Sequence, residues 1–140
     1  LGGRVVRDDH GEVVRISLTN SRITDAELGQ LEELTGLQTL DLSGTKISNA
    51  GLAHLTDLSN LVTLSLHSTR ITDAGLLHLK GLIGLKTLWL GGTTVSDNGL
   101  KHLAGLANLQ SIGLEDTKTT GEGIAELSRA LPQCQVSKAI

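Results

Sequence analysis

"LQTLDLSGTKISNAGLAHLTDLSN", Leu37 to Asn60, carries two hydrophobic rhythms in one line. At its head Leu40 and Leu42 flank Asp41, the alternation of a strand with one buried face. At its tail Leu52, Leu55 and Leu58 stand three apart, which gathers them on one face of a short helix. Thr45, the apolar Ile47 and Ser48 lie between the two. The same line returns from Val13 (VVRISLTNSRITDAELGQLEELTG), Leu61 (LVTLSLHSTRITDAGLLHLKGLIG), Leu85 (LKTLWLGGTTVSDNGLKHLAGLAN) and Leu109 (LQSIGLEDTKTTGEGIAELSRALP). The copies align at a period of 24 residues without a gap.

Each column of this alignment has a physical reading. Leu, Ile and Val fill the strand positions in every copy, and Ile23, Ile47, Ile71 and Val95 form a further apolar column that ends in Thr119. Thr45, Thr69, Thr93 and Thr117, with Ser21 ahead of them, place hydroxyls where the chain leaves the strand and can satisfy backbone groups there. Thr24, Ser48, Thr72, Ser96 and Thr120 read as helix N-caps. Asp25, Asp73 and Asp97 fall in the first helical turn, where the dipole favours negative charge.

One strand–turn–helix unit cannot bury its own apolar face, so the units must stack. Stacking gives a parallel sheet on one side, helices on the other, and a core of aliphatic tiers. Such a core needs no large rings, which accounts for a chain with no Phe, no Tyr and one Trp. It also leaves Trp89 outside every core column.

The pattern resembles the leucine-rich repeat family over about residues 13–132. The "ITDAGL" form is most similar to bacterial repeat proteins, notably those of planctomycetes, and related forms occur in F-box proteins. The resemblance implies an α/β fold: a curved, right-handed leucine-rich repeat solenoid with a parallel sheet on its concave side and short helices on its convex side. It also implies a scaffold that binds partners on the concave strands.

A single domain over 1–140 is expected, with a hairpin cap at 1–12, five repeats at 13–132 and a C-terminal cap at 133–140. Two apolar runs flank Asp8-Asp9-His10-Gly11, a hairpin-type turn whose strands would cover the first leucine tier. At the far end Pro132 breaks the last helix. Cys134 and Val136 then stand where a sixth strand begins, with Cys134 as a small buried hydrophobe.

Alternation assigns the displayed side chains. Ser17, Asp41, Ser65, Trp89 and Gly113 form one outward column, and Thr19, Ser43, His67, Gly91 and Glu115 the next. Arg15, Thr39, Thr63, Thr87 and Ser111 precede them, with Val14, Gln38, Val62, Lys86 and Gln110 one step further back. The candidate binding surface is Trp89, His67 and Asp41 at the centre, with Ser65 beside them and Lys86, Arg15 and Glu115 towards the edges. Trp is enriched at interface hot spots, and the charges would select partner and register.

Other constellations point to structure. His54, His78 and His102 share a column, but helices pack about 8–10 Å apart, too far for three rings to share one zinc ion. Arg22, Lys46, Arg70 and Lys118 form a basic column that Thr94 interrupts, read as a solvated edge balanced by the nearby aspartates. Net charge is −3, against the basic footprint that nucleic acid demands. One cysteine allows no intrachain disulfide, and no apolar run is long enough to span a bilayer. No nucleotide, metalloprotease or hydrolase motif occurs. A chain that begins at Leu1 without Met reads as a fragment or processed piece.

The expected function is therefore non-catalytic: a monomeric module that binds a protein or peptide, without cofactor, catalytic residues, metal, nucleic acid or membrane insertion. The alternatives are a substrate-targeting segment of a larger effector or ubiquitin-ligase-like protein, and an architectural spacer without ligand.

Overall fold

The computed structural model describes residues 3–138. Leu1, Gly2, Ala139 and Ile140, the outermost residues of the two expected caps, lie outside the described residues. Seven strands form one sheet in sequence order: β1 (Arg4–Arg7), β2 (Val13–Ser17), β3 (Thr39–Asp41), β4 (Thr63–Ser65), β5 (Thr87–Trp89), β6 (Ser111–Gly113) and β7 (Gln135–Ser137). β1 pairs antiparallel with β2, and all later pairs are parallel. The parallel register joins Leu40 to Leu64, Leu64 to Leu88 and Leu88 to Ile112, so every residue pairs with its own equivalent one repeat on. The sheet is open, and its helical returns make the chain a right-handed leucine-rich repeat solenoid.

The tiers are dry. Leu37, Leu40, Leu42, Ile47, Leu52, Leu55 and Leu58 of the second repeat are each 0% exposed, as are their counterparts in the third. Each such side chain contributes about 1.5–3 kcal/mol on leaving water. The hydroxyl column behaves as its chemistry requires. Thr45, Thr69, Thr93 and Thr117 each donate from Oγ1 to the carbonyl three residues earlier, at 2.7 Å. One residue before each of these threonines, Gly44, Ser68, Gly92 and Asp116 take the left-handed conformation that closes the turn, as does Asn20 before Ser21.

The helical side is shorter than a regular helix. In the middle repeats it is one α-turn, at α1 (Asn49–Leu52), α2 (Asp73–Leu76) and α3 (Asp97–Leu100), followed by one 3-10 turn. The first repeat has only a 3-10 segment, Glu27–Leu31. The last has a full helix, α4 (Gly121–Ala130).

The expected N-caps act differently from their reading in sequence. Ser48, Thr72 and Ser96 make no side-chain bond into the helices they precede. They bond instead to the residue at the Asp25 position one repeat earlier. The Ser96 N–H donates to Asp73 Oδ1 at 2.7 Å and its hydroxyl to Oδ2 at 2.5 Å. Ser48 does the same to Asp25, and Thr120 to Asp97. Thr72 N–H donates to Asn49 Oδ1, and Asn49 returns a bond from Nδ2 to Thr72 Oγ1. Thr24 has no preceding repeat, so it closes a reciprocal capping box with Glu27. Only Thr120 also caps its own helix, accepting from the Gly123 N–H. The aspartates are thus bridges between repeats as well as partners of the dipole. A glycine makes room for each: a Cβ on Gly99 would lie 2.4 Å from Asp73 Oδ1.

The two ends differ from the expected caps in detail. The β1–β2 hairpin turns at Asp8, whose Oδ1 accepts from the His10 and Glu12 N–H groups. β1 adds to the sheet edge and does not lie across the first tier: Val5 and Val6 stay 53% and 49% exposed. At the other end β7 extends the parallel sheet, and Cys134 is buried, which pushes its thiol pKa up. Thr119, the polar end of the apolar column, is buried too. The Lys138 ammonium satisfies it, donating to Thr119 O at 2.6 Å and Thr119 Oγ1 at 2.9 Å.

The inter-repeat ladder sets two expectations. Asp73→Ala removes two bonds across a repeat junction and should lower unfolding free energy by about 1–2 kcal/mol in urea titration. Asp97 is held below the usual carboxylate range, first by the Thr120 hydroxyl and then by its N–H, with burial opposing and Lys138 and Lys101 assisting. A depressed folded pKa gives stability that is complete above the ordinary aspartate value and fades as pH falls through the folded one. The melting temperature should hold down to about pH 5 and drop below about pH 4, less steeply in Asp97→Asn.

Candidate functional site

Ladder pairing fixes the outward rows. Ser17, Asp41, Ser65, Trp89, Gly113 and Ser137 stand side by side across β2 to β7. The inward neighbours of Trp89, Leu88 and Leu90, are 0% exposed, while Trp89 itself is 38% exposed. The indole is therefore displayed on the strand face. It does not stand free of the sheet. A Cβ on Gly113 would lie 2.5 Å from Trp89 Cε3, so the ring leans one strand along and rests on that glycine.

His67 repeats the arrangement one step away. A Cβ on Gly91 would lie 2.8 Å from His67 Nδ1 and 3.2 Å from the Glu115 carbonyl oxygen. The two rings thus use the two glycines of the outward columns as seats. The Glu115 carboxylate comes to the same place: Oε2 would lie 3.2 Å from that same Cβ on Gly113. Its other oxygen, Oε1, accepts from the Ser137 hydroxyl. That bond and its own backbone N–H hold Glu115 below the usual carboxylate range, outweighing burial, with His67 lowering it further. The group is an anion over a wide pH range.

The structure brings Trp89, His67 and Glu115 together over Gly91 and Gly113. Asp41 lies two strands from Trp89, about 10 Å away. Its Oδ1 accepts from the Ser43 N–H at 2.9 Å, which commits part of its charge to its own turn. Ser65 is only 8% exposed, and its hydroxyl pairs with Ser43 Oγ at 2.6 Å. Lys86 is exposed just before β5. Arg15 is exposed on β2, three strands or about 14 Å from Trp89.

Sequence reasoning missed Ser137. Its signal was present: Gln135-Val136-Ser137 mirrors Ser111-Ile112-Gly113 one period earlier, which extends the Trp89 row by one residue. Ser43, too, was placed in its column without its bond to Ser65.

The remaining constellations stay off this face. His54 bonds Glu32 through Nδ1. The places matching Glu32 in later repeats are Thr56, Lys80 and Ala104, so His78 and His102 have no such counterpart. No cluster of three or more His, Cys, Asp or Glu is arranged for a metal among the described residues. Arg22 and Lys46 line a cleft on the turn side. The nearby aspartates, expected to balance that basic column, direct their oxygens at Ser48, Ser96 and Thr120 instead. A second cleft of about 150 Å³ lies between α3 and α4. Neither includes Trp89. No helix among the described residues is long and apolar enough to cross a membrane.

The family model "Leucine rich repeat" matches residues 12–71. Among solved structures, an internalin (inlF) from Listeria monocytogenes superposes with a TM-score of 0.53 at 20% identity over 94% of this chain. The chain spans about half of that structure, 51%. An internalin C2 (inlC2) from the same organism gives a TM-score of 0.53 at 20% identity, covering 91% of this chain and 81% of that one. At this identity the likeness is one of fold. No curated protein matches by sequence. Leucine-rich repeat domains are non-enzymatic scaffolds that commonly serve as protein-interaction modules. The family match over residues 12–71, the 24-residue period and the tier-on-tier register agree in giving this chain a leucine-rich repeat fold.

Proposed function

We propose that this chain binds a protein or peptide partner on its concave strand face, with Trp89, His67 and Glu115 at the centre of the contact. The observation that carries the reading is the position of the indole. It stands on the outward row of β5 in a chain with no other Phe, Tyr or Trp, over a glycine that leaves room for it. A half-exposed Trp ring offers a large contact area at little loss of conformational freedom, and such residues dominate interface energies. Six parallel strands about 4.8 Å apart give a ribbon roughly 24 Å wide, enough for a peptide or a small protein surface. Asp41, Ser65, Lys86 and Arg15 would form the surrounding rim, where charge tunes partner choice and encounter rate.

Trp89→Ala tests this. Partner capture, compared between wild type and variant, should fall by at least tenfold in affinity, about 1.4 kcal/mol or more. Melting should change little, since the ring fills no tier. Unchanged capture would leave the spacer reading in its place. Gly113→Ala provides a second check: its Cβ takes the ring's seat. Trp89 fluorescence anisotropy should show faster local motion while the circular dichroism spectrum stays the same, and partner affinity should fall with the loss of preorganisation.

A further inference from the structure

The strand face sets a partly exposed aromatic ring beside a carboxylate. The Glu115 carboxylate and the edge of the Trp89 ring meet above one residue, Gly113, which has no side chain to separate them. Ser137 occupies Oε1, which leaves Oε2 over Gly113, beside the place where the indole rests. Among the described residues no lysine or arginine forms a salt bridge with Glu115. The nearby ammonium of Lys138 is taken up by Thr117 and Thr119. His67 flanks the site from Gly91 and narrows it on one side.

A ring face is attracted to cations, and a carboxylate oxygen accepts from them. A guanidinium serves both at once: its plane stacks on the indole while its edge donates to the carboxylate. A lysine ammonium offers a point charge without the stacking plane. A neutral or acidic side chain would leave Glu115 either unmatched or repelled.

We infer that the Trp89–Glu115 site receives an arginine side chain of the protein partner. The inference rests on the concave-face reading and specifies the chemistry of the partner at its centre. The probe is the peptide acetyl-Gly-Gly-Arg-Gly-Gly-amide, titrated into the whole chain and followed by the fluorescence of Trp89, the sole aromatic reporter. Its citrulline counterpart has the same shape without the charge, and a glutamate counterpart reverses the charge.

The arginine peptide should give a saturable change in the millimolar range, with citrulline about five- to tenfold weaker and glutamate silent. Glu115→Gln keeps a hydrogen-bond acceptor for Ser137 and should fold normally, as checked by its melting curve. It should erase the preference for arginine over citrulline. Equal binding of the arginine and citrulline peptides overturns the inference, as does a preference that survives in Glu115→Gln. A natural partner whose binding needs Trp89 but ignores Glu115 overturns this inference alone and leaves the concave-face reading intact. If neither peptide nor partner depends on Trp89, both fall.

Discussion

Everything in this molecule depends on strict translation by one repeat. Each strand pairs with the next in register, so a leucine meets a leucine of the same column and a displayed residue meets a displayed residue. A one-residue slip would turn the whole strand over, exposing leucines and burying Asp41 or Trp89. The gapless 24-residue period prevents that. The dry tiers enforce it, because identical aliphatic layers lose contact on any offset.

The same translation organises the polar side. Asp25, Asn49, Asp73 and Asp97 each reach forward to a Ser or Thr one repeat on, and Gly51, Gly75, Gly99 and Gly123 leave the space they need. The ladder ties repeats together on the helical side, while backbone pairing ties them on the strand side. Held along both edges, the scaffold can carry irregular residues on its strand face without losing register. Glycine acts there in another way: Gly91 and Gly113 are seats for His67 and Trp89.

The sequence made the fold legible because each core column is filled by one kind of residue. It revealed the outward position of Trp89 for the same reason, since alternation leaves no other place for a residue between Leu88 and Leu90. Interactions between columns were less visible. Ser48 and Ser96 looked like N-caps because a cap and an inter-repeat donor have the same composition. Asp41 looked central and Glu115 peripheral, because column position alone ranked the two acids of one face. Asp41 turns to its own Ser43 N–H, while Glu115 is drawn over Gly113 by Ser137, whose place in the row required a sixth parallel strand. Val5 and Val6 read as cover for the first tier, yet an edge strand paired through its backbone leaves its side chains to solvent.

Quenching of tryptophan fluorescence by acrylamide tests the central claim most directly, because one indole in a chain without Tyr or Phe gives a single signal. A ring displayed on the strand face and seated on Gly113 should emit at an intermediate wavelength. Its quenching rate constant should lie a few-fold below that of free indole in water. A blue-shifted emission that acrylamide barely touches would place Trp89 inside the leucine tiers and contradict the register on which the account is built.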